Sequence, residues 1–124
     1  MNSIILVDDQ SITNFITRKL LEIEGVEIPV EDFTNPIEAL AHVNENEEMF
    51  ILLDLNMPEM SGWEFLEHLN TNKFPPKVVI LTSSTSELDQ ERAKKYSFVL
   101  DYLIKPLKQQ VVAELLRKYC LVNK

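Results

Sequence analysis

Met49-Phe50-Ile51-Leu52-Leu53-Asp54-Leu55-Asn56-Met57-Pro58 is the stretch that decides the fold. Its first half is an unbroken apolar run, too short for an ordinary helix and too apolar for a strand with one wet face. It therefore reads as a strand, Met49 to Leu53, covered on both sides in a parallel sheet. The run stops at a carboxylate, Asp54. Similar short runs lie on either side, from Ser3 to Val7, Val26 to Phe33, Lys77 to Leu81 and Asp101 to Ile104. Between them the apolar residues recur at helical spacing, so the chain alternates strand and helix.

The helical segments carry their own start and stop signals. Ile12, Phe15, Ile16, Leu20 and Ile23 form one stripe predicted to face the core, and Gly25 is placed to end that helix in the left-handed conformation. Asn35, Pro36 and Glu38 read as an N-cap, a first-position proline and a first-turn acid. Ser61 and Glu64 have capping-box spacing, and the Ser and Thr residues from Thr82 to Ser86 lead into a charged fourth helix. Val111, Val112, Leu115, Leu116 and Tyr119 mark the fifth. Five strands and five helices in alternation predict an α/β fold with helices on both faces of a parallel sheet.

A chain of 124 residues, 45% hydrophobic, is the size of one domain. The net charge of -8 opposes direct nucleic-acid binding. The apolar start, Met1 to Val7, is far shorter than the roughly 18 residues that span a bilayer, so no membrane insertion and a cytoplasmic location are expected. The lone Cys120 forms no internal disulfide and reads as a packing residue of the fifth helix.

In such sheets ligands bind beyond the carboxyl ends of the strands. Asp8 and Asp9 follow the first strand, Asp54 the third, Thr82 the fourth and Lys105 the fifth, so acids, a hydroxyl and an ammonium meet at one edge. Each alone is an ordinary strand-end residue; their convergence is the signal. His42 and His68 have no partner at ligand spacing and read as surface residues, with Glu64 and His68 as an exposed helix pair. Met57, Met60 and Trp63 form an apolar loop beside the cleft that reads as core cover or a docking contact, with partly exposed cover preferred.

Asp8-Asp9, Asp54-Leu55-Asn56-Met57-Pro58, Gly62, Thr82 and Lys105-Pro106 together resemble the receiver domains of bacterial two-component response regulators, the CheY-like family, over the whole chain. The resemblance implies a doubly wound, flavodoxin-like sheet of strand order 2-1-3-4-5 and a single receiver domain, residues 1–124, in stand-alone form with no effector domain attached. It implies that Asp54 accepts a phosphoryl group from a histidine kinase or histidine phosphotransfer protein, with Thr82 and Lys105 contacting the phosphoryl oxygens. Mg²⁺, or Mn²⁺, would be held by Asp9, Asp54 and the backbone carbonyl of Asn56, with Asp8 acting through water.

Other roles follow from the same resemblance. Tyr102 would swing inward as Thr82 moves, with Ser83 small enough to leave it room, and Pro106 would follow a cis bond that aims Lys105 into the cleft. Gly62 would permit tight backbone packing, while Asn56 and Ser84 would tune the lifetime of the acyl phosphate. The fourth helix, fifth strand and fifth helix would form the surface read by a downstream protein target, or by a second copy in a dimer. The chain would act as a switch and not as an enzyme on other substrates. One departure stands out: Phe98 occupies a place where the family commonly has glycine, which bears on the turn beside the output surface.

Two other classes compete. A dehalogenase-type phosphatase needs a second acid two residues after its nucleophile, and position 56 is Asn56. With Gly25 and Gly62 as the only glycines, neither a Walker loop nor a dinucleotide fingerprint can be drawn. A receiver-shaped interaction module that works without phosphorylation is the main alternative.

Overall fold

The computed structural model describes residues 3–44, 46–119 and 121, and Cys120 lies outside them. The chain alternates β1 (Ser3–Val7), α1 (Ser11–Ile23), β2 (Val30–Phe33), α2 (Pro36–His42), β3 (Met49–Leu53), α3 (Gly62–Leu69), β4 (Lys77–Thr82), α4 (Glu87–Ala93), β5 (Val99–Ile104) and α5 (Gln109–Lys118). The strands form one parallel sheet in the order β2-β1-β3-β4-β5. β1 and β3 are buried along their whole length, which is why they read as continuous apolar runs.

Strand alternation divides the core into two layers. Ile5, Val7, Ile51 and Leu53 point to the side covered by Phe65, Leu66 and Leu69 of α3. Ile4, Leu6, Phe50 and Leu52 point to the other, against Leu21 of α1 and Val112, Leu115 and Leu116 of α5. Burying each large side chain contributes about 1.5–3 kcal/mol before entropy is counted.

The capping signals hold. The Asn35 side chain accepts from the Ile37 amide at 2.9 Å, with Pro36 at the first helical position. Ser61 and Glu64 form a reciprocal capping box, which takes Glu64 away from the pairing with His68. Ser86 caps α4 through the Asp89 amide, and Gly25 takes φ 83° just beyond α1.

Strand limits differ from the sequence reading in three places. β2 begins at Val30 and not at Val26, because Pro29 has no N–H to donate to a ladder. Val26 and Ile28 instead pack into the layer beneath α1 and α5. β4 runs one residue further, to Thr82. β5 starts at Val99, and its register shifts at Val78 and Val79, which pair with Val99 and Asp101 and leave Leu100 as the extra residue of a bulge.

The larger correction concerns α1. Ile12, Phe15, Ile16 and Ile23 are exposed, and Asn14, Thr17 and Leu21 are buried in their place. The helix turns a polar residue inward because β1 and β2 end beneath it: Asn14 Nδ2 donates to the carbonyls of Asp8 at 3.1 Å and Phe33 at 3.2 Å. The Asp8 carbonyl is thereby satisfied, and the Phe33 carbonyl, which already accepts the Asp8 amide, gains a second donor.

Candidate functional site

Four of the polar residues expected at the sheet edge, Asp8, Asp54, Thr82 and Lys105, are held there by their backbone. The Asp54 amide donates to Val7 O at 3.0 Å, the Asp8 amide to Phe33 O at 3.1 Å, and the Lys105 amide to Thr82 O at 2.8 Å. The parallel ladder is thus carried one residue past the strands, and side chains distant in sequence meet in one cleft.

Asp8 and Asp54 are buried and Thr82 is fully so, while Asp9 and Lys105 are partly open. Carboxylate oxygens of Asp8, Asp9 and Asp54 all lie within 4.8 Å of one another. Lys105 Nζ sits 2.6 Å from Asp8 Oδ2 and 3.6 Å from Asp54 Oδ2. Asp8 Oδ1 also accepts from the Gln10 amide at 2.9 Å. Asp54 Oδ1 takes a long 3.4 Å bond from the Asn56 amide. The Lys105–Pro106 bond is cis.

Burial pushes the Asp54 carboxyl above its ordinary pKa of 3.8; the Lys105 ammonium opposes this, Asp8 adds to it, the Asn56 amide opposes and Asp9 adds. Three carboxylates face one ammonium, so the cleft carries excess negative charge that a divalent cation would balance. Its donors are all hard oxygens at mutual distances one cation can bridge, a set that fits Mg²⁺ or Mn²⁺.

The β3–α3 loop closes tightly over Asp54. The Gly62 amide donates to Leu55 O at 2.8 Å, and a Cβ on Gly62 would stand 2.6 Å from Asp54 O and 2.7 Å from Leu55 Cα. Glycine is required here by space. Met57 is buried, Met60 and Trp63 partly so, as cover.

On the other flank, Ser84 links several groups. Its amide donates to Thr82 Oγ1 at 3.3 Å, its carbonyl accepts the Tyr102 hydroxyl at 3.0 Å, and its own hydroxyl donates to Asp89 Oδ2 at 2.7 Å. Tyr102 is partly buried and packs against the core layer, and Ser83 is exposed. Two roles escaped the sequence reading: Asn14, hidden in an apolar stripe, and Ser84 as a hydrogen-bonding junction. A polar residue interrupting the apolar positions of α1 was the available clue to the first. The histidines lie elsewhere; His42, exposed as expected, pairs with Glu31 at 2.9 Å.

The cleft and sheet order define a doubly wound α/β domain with an acidic cleft at the carboxyl edge of its sheet, and comparison with known proteins gives the family. Residues 4–117 match the response regulator receiver domain, and the chain belongs to that family. It is 31% identical over 109 residues to the cyclic di-GMP phosphodiesterase response regulator RpfG of Xanthomonas campestris, a match covering 86% of this chain and 28% of that protein. It is 32% identical over 121 residues to an uncharacterized 14.6 kDa protein of Leptolyngbya boryana, covering 95% and 89%. Several curated relatives are much longer: the match covers 43% of the Bordetella pertussis regulator BvgA. Among solved structures, a two component response regulator from Cytophaga hutchinsonii superposes with TM-score 0.82 at 26% identity, covering 97% of both chains. A CheY-like receiver domain from Methanospirillum hungatei gives 0.80 at 27%, covering 96% of this chain and 93% of that one. The chain is therefore a receiver domain of two-component signalling, with the CheY-like strand order. Among the described residues no helix is long and apolar enough to cross a membrane.

Proposed function

We propose that the chain, residues 1–124 as one receiver domain, is a phosphorylation-driven switch whose acceptor is Asp54. The observation that carries this reading is the placement of Lys105 Nζ between Asp8 and Asp54, with the buried Thr82 hydroxyl on the neighbouring strand end. An Asp54 carboxylate oxygen would attack the phosphorus of a phosphohistidine; the P–N bond breaks and the imidazole leaves, taking up a proton. Lys105 and Thr82 then supply the donors for charge that gathers on the phosphoryl oxygens. Mg²⁺, when bound by Asp9, Asp54 and the Asn56 carbonyl with Asp8 through water, would offset the acids' mutual repulsion and gather the oxygens around the acceptor.

A protein donor, a histidine kinase or phosphotransfer protein in the cytoplasm, is supported by the surface beside the cleft. Ile12, Phe15 and Ile16 are 62%, 55% and 50% exposed on the first turns of α1. Ile16 also lines an apolar pocket of about 350 Å³ with Leu81, Lys105, Pro106 and Leu107. An apolar rim around a charged cleft suits a partner that must dock before it reacts. The output would pass from Thr82 through Ser84 and Tyr102 to the surface of α4, β5 and α5, where a downstream protein or a second copy would read it.

Acetyl phosphate with Mg²⁺ tests the acceptor. Intact-mass measurement is expected to show one added phosphoryl group, absent in Asp54→Asn. No added mass in the wild-type protein would leave the phosphorylation-independent interaction module as the better reading.

A further inference from the structure

The far end of α4 is fastened to α3 by two cross-connections that the phosphorylation chemistry does not use. On α3, Trp63 and Glu67 are four residues apart and share a face; their partners are Arg92, on the last turn of α4, and Tyr96, in the turn that follows it. The Arg92 guanidinium lies over the Trp63 ring, 4.4 Å from its centroid. The buried Tyr96 hydroxyl donates to Glu67 Oε2. Tyr96 in turn meets Phe98 edge-on, with centroids 5.8 Å apart, and both rings are part of the core layer that includes Trp63. Phe98, where glycine was expected, thus plugs the turn from α4 into β5.

The near end is held differently. Ser83 is exposed, Leu88 is 83% exposed, and the loop is tied to Thr82, Tyr102 and Asp89 by hydrogen bonds of Ser84, with Ser86 capping the helix at the Asp89 amide. One end of α4 is built into the core; the other hangs on a hydrogen-bonded junction.

We propose that the Trp63–Arg92 and Glu67–Tyr96 pairs form a clasp that fixes the carboxyl end of α4. Rearrangement at Thr82 is then confined to the loop 83–86 and the first turn of α4 around Leu88. This rests on the switch reading above and narrows its output surface, since the Arg92 end of α4 and the Phe98 turn stay in place when Asp54 is occupied.

Amide hydrogen exchange of the whole chain, with and without Mg²⁺ and beryllofluoride, tests it in the wild type and in the double variant Arg92→Met/Tyr96→Phe. Both substitutions keep the packing volume and remove only the cationic and hydroxyl contacts. In the wild type, occupancy is expected to change exchange about ten-fold or more in residues 83–89 and less than about two-fold in residues 92–98. In the double variant the change should spread through residues 92–98, and without ligand those amides alone should exchange about ten-fold faster. Equal changes along all of α4 in the wild type, or a double variant indistinguishable from it, would overturn the clasp. Fluorine NMR reports separately whether beryllofluoride binds. If it does not, the switch reading fails and the ligand-free comparison alone decides the clasp.

Discussion

Replacing Gly62 by alanine probes the closeness of the loop to Asp54, the proposed acceptor. Gly62 has no positive φ to protect, so the effect is one of space. Its new methyl group would meet Asp54 O at 2.6 Å and Leu55 Cα at 2.7 Å, well inside ordinary contact. Both obstacles are backbone and cannot swing aside as a side chain could. Overpacking of this kind costs about 1–3 kcal/mol, and the lower chain entropy of unfolded alanine returns about 0.4–1 kcal/mol. The expected net loss is about 1–2 kcal/mol, or roughly 4–8 °C in Tm for a domain of this size. Relief requires the Asp54–Leu55 peptide and the first turn of α3 to move apart, which shifts Asp54 against Lys105. Modification by acetyl phosphate should therefore slow by roughly ten- to a hundred-fold. Gly25→Ala is the control. At φ 83° it costs about 1–2 kcal/mol through left-handed strain, but it lies beyond the carboxyl end of α1, away from the cleft. Calorimetry and intact-mass time courses on both variants should show similar stability losses, with slowed modification in Gly62→Ala alone. A Gly62→Ala protein with wild-type Tm and wild-type modification rate would refute the steric argument.

Two further outcomes follow from the cleft and its rim. Because burial raises the Asp54 pKa, the folded state holds that proton more tightly than the unfolded chain, and stability falls as pH rises from 3.8 through the folded value. In urea unfolding without divalent cation, Asp54→Asn should gain little stability over wild type below pH 3.8 and reach its full gain above the raised pKa; a pH-independent difference would contradict the burial argument. On the rim, Phe15→Ala removes a half-exposed ring and should change stability by less than about 0.5 kcal/mol. It should slow transfer from a phosphohistidine protein about ten-fold while leaving acetyl phosphate unaffected, and equal loss with both donors would exclude a docking role.

Much of the fold was legible because its signals are local. A strand buried on both faces shows as an unbroken apolar run, as in Ser3–Val7 and Met49–Leu53, and a cap shows as a residue type at a fixed offset, as with Asn35 and Ser61. What was misjudged depends on partners far along the chain. Val26 and Ile28 look like strand residues until Pro29 withholds its amide from the ladder and the pair packs below α1 and α5. The place of Phe98 is set by Tyr96 and by the register shift opposite Val78, neither of which has a sequence period. The expected polar cluster was legible for a different reason. In a parallel sheet the residue after each strand must fall at the same edge, so strand limits good to one residue suffice to gather Asp54, Thr82 and Lys105.

α1 shows where pattern reading fails and why that failure is informative. Periodicity reports which positions share a face, and it takes the apolar face to be the buried one. In α1 the buried face serves the ends of β1 and β2, where Asn14 donates to the Asp8 carbonyl and adds a second donor to that of Phe33. The apolar side chains Ile12, Phe15 and Ile16 are thereby turned outward beside the charged cleft, where they lose the stabilisation that burial would bring. A fold under no other demand would place polar residues at those positions. Their cost in isolation fits the docking role proposed for this rim, and the same Asn14 that faces inward opposite this surface also holds the carbonyl of Asp8. One buried amide thus sets both the direction in which α1 presents its apolar rim and the position of an acid facing Asp54.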